Sequence, residues 1–164
     1  MKMIVAVDRN WGIGKDGCLL CHIPGDLKYF KHKTRGKVVV MGRTTFESLP
    51  GKKPLADRVN IVLSRNPEFQ PEGCIKCKSV DELFKVLQDY DTEDVFIIGG
   101  EDIYRQFSPH CSSYLVTKIN AEFEADKHFE NLDMRRDLEL AEESEPQREN
   151  GMEYRFTKYK RREE

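Results

Sequence analysis

No apolar run in the 164 residues approaches the ~18–20 residues of a membrane-spanning helix. The opening MKMIVAVDRNW is broken by Asp8 and Arg9 before it reaches signal-peptide length, so no secretory leader is expected. An excess of charge is missing too: 27 Lys and Arg oppose 29 Asp and Glu, a formal net charge of −2. A general nucleic-acid binder usually carries a strong basic excess, so that class is disfavoured. No GxGxxG joins a strand directly to a helix: the one at Gly12–Gly17 is not followed by a helix pattern, so the common dinucleotide fingerprint is not met. His22, His32, His110 and His128 have no companion nucleophile at a useful spacing and read as surface or structural residues. The five cysteines are odd in number, so a complete internal set of disulfides is not expected. Internal repeats and low-complexity segments are also absent.

What is present suits a globular chain. Hydrophobic residues make up 38%, with nine Phe and six Tyr, enough to bury a core. One cytoplasmic domain over residues 1–164 is the expectation. Two cysteine pairs have CxxC spacing, Cys18–Cys21 and Cys74–Cys77. They lie farther apart than the knuckles of a compact zinc ribbon, and residues three apart on a strand point to opposite faces. Independent thiols are therefore expected, with no metal site.

Strand and helix patterns alternate. Short apolar runs at Met3–Val7, Lys37–Gly42, Val59–Ser64 and Val95–Ile98 read as strands buried on both faces. Helices are expected over Pro24–Lys33, from the Thr44–Glu47 capping box to Pro50-Gly51, after the Ser79–Glu82 capping box, and over Asp102–Phe107. Cys74–Cys77, Tyr114–Ile119 and Glu153–Tyr159 read as further strands. The last two have no strong helix between them, which suits antiparallel pairing at one edge. The charged stretch Arg135–Asn150 fits no pattern. Such alternation implies a mostly parallel sheet with helices on both faces.

Ligands of parallel sheets bind beyond the carboxyl ends of the strands. Three of those ends carry glycine or polar groups: Gly42-Arg43-Thr44-Thr45, Ser64-Arg65-Asn66 and Gly99-Gly100-Glu101-Asp102. Two precede a helix, whose free N–H groups attract phosphate, and Arg43, Arg65 and Lys78 add positive charge. Each junction alone could be a tight turn; three together point to a dinucleotide. Asp26, in the first turn of a helix beside Leu27 and Phe30, is either a dipole-stabilising acid or a carboxylate in an apolar cleft.

The ordered set Ile13-Gly14, His22-Ile23-Pro24-Gly25-Asp26-Leu27, Phe30, Met41 to Ser48, Asn60 to Arg65, Ile98-Gly99-Gly100 and Thr117 resembles the dihydrofolate reductase family. The match runs in order over essentially the whole chain. The resemblance implies an α/β three-layer fold: a central, mostly parallel eight-stranded sheet with an antiparallel C-terminal edge, flanked by four helices. It implies reduction of 7,8-dihydrofolate by NADPH, with Asp26 holding the pterin and promoting protonation at N5. Val5, Ala6, Leu27, Phe30, Leu49, Leu55 and Ile98 would surround the substrate. Arg58 would grip its glutamate carboxylate, and Thr117 would support Asp26.

On the cofactor side the resemblance implies Ala6, Ile13, Gly14, Gly17, Leu19, Gly42, Arg43, Thr44, Thr45, Leu63, Ser64, Arg65, Lys78 and Ile98. It adds Gly99, Gly100, Glu101, Asp102, Ile103, Tyr104 and Gln106. Residues from Ile13 to Leu19 would form a mobile loop over the nicotinamide, and Gly99-Gly100 would be joined by a cis peptide. Antifolate binding and a monomeric state are implied as well, with no nucleic-acid or membrane partner.

The chain departs from the family's pattern at three places. Leu20-Cys21 stands where Pro-Trp is usual, which bears on pocket shape and water, and oxidation could link Cys21 to Cys18. Glu101-Asp102 puts acid at the start of a helix facing the pyrophosphate. Ala125 replaces a glycine. Three other readings fit part of the sequence: a same-fold NADPH reductase of a ribosylaminopyrimidine in riboflavin synthesis, a nucleotide-binding scaffold without turnover, and a zinc-dependent module. The first needs neither the acid between Pro24 and Leu27 nor Arg58.

Overall fold

The computed structural model describes residues 1–20 and 22–163, with the backbone alone for Cys18. The chain opens with β1 (Lys2–Val7), β2 (Gly12–Lys15), β3 (Cys18–Leu19) and α1 (Pro24–Thr34). Next come β4 (Val38–Gly42), α2 (Arg43–Ser48), β5 (Val59–Leu63), β6 (Ile75–Cys77) and α3 (Val80–Leu87). Then follow β7 (Val95–Gly99), α4 (Glu101–Phe107), β8 (Ser113–Ile119) and β9 (Lys127–His128). The chain closes with β10 (Leu138–Glu143), β11 (Gln147–Glu149) and β12 (Met152–Arg161).

The main sheet runs β10-β12-β8-β1-β7-β4-β5-β6. From β8 to β6 every pairing is parallel, and β12 joins β8 antiparallel, as does β10 to β12. This is the expected eight-strand path with an antiparallel edge; β11 adds a short hairpin strand against β12. The runs that read as doubly buried strands are so: Val38, Val39, Val40 and Met41 are all buried in β4.

Alternation along β1 sorts the core into two layers. Met3, Val5 and Val7 face one cluster with Leu83 and Leu87 of α3 and Ile103 and Phe107 of α4. Ile4 faces the other with Phe46 of α2 and Tyr29 and Phe30 of α1. Cys77 packs in the first cluster and Cys74 against the second, so the two thiols stand on opposite faces.

Three expectations need correction. The Thr44–Glu47 capping box does not form: Gly42 is the N-cap of α2 without a side-chain bond. Glu47 instead takes Arg43 Nε at 2.7 Å, an ion pair that satisfies it one turn along. By contrast, Ser79 Oγ does accept the Glu82 N–H at 3.1 Å. The unassigned stretch Arg135–Asn150 contains β10 and β11; as edge strands they keep charge on the solvent side, so Leu138 alone is buried in β10. Finally, the segment expected as a loop from Ile13 to Leu19 is a β2–β3 hairpin paired with β9 in a second, three-stranded sheet.

Candidate active site

The three polar strand ends are neighbours, because β7, β4 and β5 are consecutive in the sheet and register sets Met41 beside Gly99 and Gly42 beside Leu63. Gly99 and Gly100 are joined by a cis peptide. The glycines are needed by space. A Cβ on Gly42 would stand 3.1 Å from Ile103 Cγ1, and one on Gly99 would stand 3.2 Å from Tyr104 Cε2. Gly99 also holds φ +122°, a conformation L side chains rarely adopt. These junctions therefore present bare backbone. A Cβ added to Gly17, at the tip of the β2–β3 hairpin, would stand 4.0 Å from Thr44 Cγ2, so the hairpin tip lies near the start of α2.

Asp26 projects from the first turn of α1, and Thr117 projects from β8 between Ala6 of β1 and Phe156 of β12. Thr117 Oγ1 donates to Asp26 Oδ1 at 2.7 Å. Burial pushes the Asp26 carboxyl above the ordinary range, against the pull of the Thr117 bond. Three tyrosines feel the same carboxylate. Burial, with the Asp26 charge second, raises the Tyr104 hydroxyl, which donates to the Ile4 carbonyl at 2.8 Å. Tyr29 is pushed up to about 12, burial first, then Asp26 and Glu142. Tyr154 is raised by burial, then by Glu149 and Asp26.

Phe30, Leu49, Leu55 and Ile98 pack as half-buried residues against one core cluster, so each leaves an apolar surface open on the Asp26 side of the sheet. Ala6 packs with Ile23 and Ile119. Leu27 is exposed on α1. The Val5 side chain is buried in the opposite layer, which the two-residue period of a strand dictates once Ile4 and Ala6 face the cleft. Only its backbone is left to this side.

Arg58 is held in place. Its NH1 donates to Thr34 Oγ1 at 3.0 Å, its Nε to the Ala56 carbonyl at 2.9 Å, and it lies over the Phe30 ring. Burial lowers its guanidinium somewhat, while Asp57 pulls the other way. Sequence reasoning named Asn60 only as part of a motif. In the structure its amide bonds the Leu55 N–H and carbonyl and the Arg58 carbonyl, and so fixes the turn that carries both residues. The Ile4 carbonyl and Glu149 were also missed.

The cationic residues of the cofactor side are looser. Arg43 pairs with Glu47 and stacks over Phe69, at 5.1 Å from the ring centroid. Arg65, Lys78, Asp102 and Gln106 are exposed, as are Thr44 and Leu19. Ser64, Thr45, Leu63, Ile13 and Gly14 are partly buried, and Ile103 is a core residue behind Gly42. The acid at Glu101 is already engaged: it accepts His128 N–H at 2.7 Å and pairs with Arg105.

One feature lies away from this cleft. A groove of about 790 Å³, lined by Arg105, His128, Arg135 and Arg161 among others, touches the predicted set only at Glu101 and Tyr104. Among the described residues no group of three or more His, Cys, Asp or Glu could hold a metal ion. The expectations for Cys21 and its pairing with Cys18 lie outside the described residues.

The fold is that of a known reductase class. The structure of dihydrofolate reductase from Enterococcus faecalis, complexed with NADP(H) and RAB-propyl, superposes with a TM-score of 0.87 at 34% identity, covering 99% of this chain and 96% of the other. The family model described as dihydrofolate reductase matches residues 1–161. Dihydrofolate reductase of Bacillus subtilis is 36% identical over 163 residues, 99% of this chain and 95% of its own length. Dihydrofolate reductase type 3 of Salmonella typhimurium is 42% identical over 129 residues, covering 79% and 77%.

The chain belongs to the dihydrofolate reductase family and is an oxidoreductase. The riboflavin-pathway reading has no support, since the matching family model is that of dihydrofolate reductase. Among the described residues no helix is long and apolar enough to cross a membrane.

Proposed function

We propose that this chain reduces 7,8-dihydrofolate to 5,6,7,8-tetrahydrofolate with NADPH, supplying one-carbon metabolism, and that Asp26 is its catalytic carboxylate. The observation that carries the reading is the Asp26–Thr117 bond of 2.7 Å beside an apolar wall of Phe30, Leu49 and Ile98. A carboxylate so placed accepts two hydrogen bonds from the amino-pyrimidine edge of a pterin. Thr117 fixes which oxygen points inward. Because burial raises its pKa, Asp26 holds a proton closer to neutral pH than a surface acid does and can pass it toward N5 through a water.

The residues fit a dinucleotide: Gly42, Gly99 and Gly100 bare their backbone where a Cβ would meet Ile103, Tyr104 and Thr45. When bound, NADPH supplies the hydride that reaches C6 of the substrate. Arg43, Ser64, Arg65 and Lys78 are assigned to the adenosine phosphate, and Ile13, Gly14, Gly17 and Leu19 to the cover over the nicotinamide. Phe30, Leu49, Leu55 and Ile98 exclude water from the reacting ring. Arg58, already oriented by Thr34 and Ala56, keeps its remaining N–H groups for the substrate's glutamate carboxylate. The chain works as one domain and as a monomer in the cytoplasm, and it binds antifolates in the same cleft.

The test is loss of absorbance at the NADPH band with and without dihydrofolate. Oxidation that depends on dihydrofolate supports the reading; none at saturating ligands overturns it.

A further inference from the structure

Helix α1 carries the catalytic carboxylate, yet its N-terminus has no local cap. The N-cap residue is Ile23, which has no side-chain acceptor, and Pro24 follows it. The first-turn donors can be followed one by one. Pro24 has no N–H, and the N–H groups of Asp26 and Leu27 both reach the Ile23 carbonyl, at 3.0 and 3.1 Å. That leaves Gly25, the residue before Asp26. Its N–H donates to Glu149 Oε1 at 2.6 Å, across 124 positions of sequence. Glu149 ends β11, the hairpin strand beside β12.

A second observation shows that the contact is built into the fold. A Cβ on Gly25 would run into the Tyr154 hydroxyl and stand 3.3 Å from Glu149 Oε1. Glycine is therefore what lets β11 and β12 come up against the helix end. Tyr154 is itself buried, and it is paired in register with Gln147 on β11 and Ile119 on β8, two residues from Thr117. The first turn of α1 is thus held at two points: by Thr117 of β8 on the Asp26 side chain, and by Glu149 of β11 on the N–H of Gly25 beside it.

We propose that Glu149 is a positioning residue for the reaction, a cap supplied from the β11–β12 hairpin that sets where the first turn of α1 holds Asp26. It rests on the reading of Asp26 as the catalytic carboxylate. Glu149 touches no substrate. It acts by satisfying a donor that would otherwise draw water into the turn, and by fixing the helix end against Tyr154. The titratable groups that feel the Asp26 charge are Tyr29 on α1, Tyr104 on α4 and Tyr154 on β12, while the Glu149 charge bears on Tyr154.

The experiment compares wild type with Glu149→Ala and Glu149→Gln in two readouts. The first is steady-state turnover of NADPH and dihydrofolate across pH. The second is titration of the Asp26 side-chain carbon by NMR in ligand-free protein, which needs no activity. Glu149→Ala should lower kcat about tenfold with KM for both ligands changed less than threefold, a misplacement rather than a binding defect. Its Asp26 should titrate lower than in wild type, because water enters the turn. Glu149→Gln keeps an oxygen acceptor and loses the charge, so it should restore most of kcat and the wild-type titration.

Unchanged kcat and titration in Glu149→Ala would overturn the inference. So would equal defects in both variants, which would make the effect one of charge alone. If Glu149→Ala is too unstable to assay, Glu149→Gln against Glu149→Leu in the NMR titration decides the same point. Absence of dihydrofolate-dependent turnover in wild type would remove the catalytic reading, while the titration would still report whether the cap holds Asp26.

Discussion

Asp26 and Arg58 are gripped by side chains from other elements, whereas among the described residues the Arg43 side chain bonds only Glu47, one helical turn along, and stacks on Phe69. Arg65 and Lys78 are exposed, and among the described residues neither cationic side chain donates a hydrogen bond; the Lys78 backbone N–H bonds Glu82 Oε2. The substrate half of the cleft thus has its ordering cost met by folding, and the phosphate-binding half meets it on binding. Chemistry needs the first arrangement, because reacting atoms must sit within fractions of an ångström. Recognition of a charged phosphate tolerates the second.

The largest test of this contrast is Asp26→Asn, which should lower kcat at neutral pH by about 10²–10⁴-fold with partial recovery in acid, where solvent protonates the substrate. A pH–rate profile checks it, and wild-type rates across the range would break the assignment. Next is Arg58→Leu. Losing a pre-oriented charge-assisted contact should raise KM for dihydrofolate by roughly 10–100-fold and leave kcat within about twofold. Smaller effects are expected among the exposed cations. NADPH should be preferred over NADH by at least about tenfold, and Arg65→Ala should erode that preference severalfold. Glu47→Gln releases Arg43 from a surface pair and should raise the preference by about two- to fivefold, read as the ratio of kcat/KM values.

The smallest effect concerns stability. Burial raises the folded-state pKa of Asp26, so the fold favours the protonated acid. Stability is lost as pH climbs from the ordinary carboxylate range through that raised value, and the loss persists above it. Asn has nothing to lose, so Asp26→Asn should melt higher than wild type at pH 7, and the gap should close in acid. Thermal scans at the two pH values measure it.

The parallel core was legible because β4, β5 and β7 are continuous apolar runs, and Asp26, Gly99 and Thr117 were legible through an ordered motif. What was hidden depends on contacts distant in sequence or on competition between partners. Nothing near Gly25 announces that its donor will find Glu149. Thr44 and Glu47 have capping spacing, but Arg43 offers Glu47 a stronger partner than a backbone N–H. Asn60 looks like an interior strand polar residue until the turn at Leu55–Arg58 folds back onto it. The edge strands β10 and β11 carry charge because one side meets water, so they lack the apolar signature of the core strands.

The place of β1 in the sheet has a consequence for how the chain is made. In chain order β1 precedes both of its neighbours, β7, complete at residue 99, and β8, complete at residue 119. Until residue 99 the emerging polypeptide can pair β4 with β5 and β6, yet the Met3–Val7 segment has no partner on either side, and until residue 119 it has only β7. Asp26 waits equally long for Thr117. Synthesis from residue 8 to residue 99 therefore runs with an unpaired Met-Ile-Val-Ala-Val segment, the interval in which a holdase or slow translation matters most. A nascent chain stalled before residue 113 lacks β8, and with it one neighbour of β1 and the Thr117 partner of Asp26.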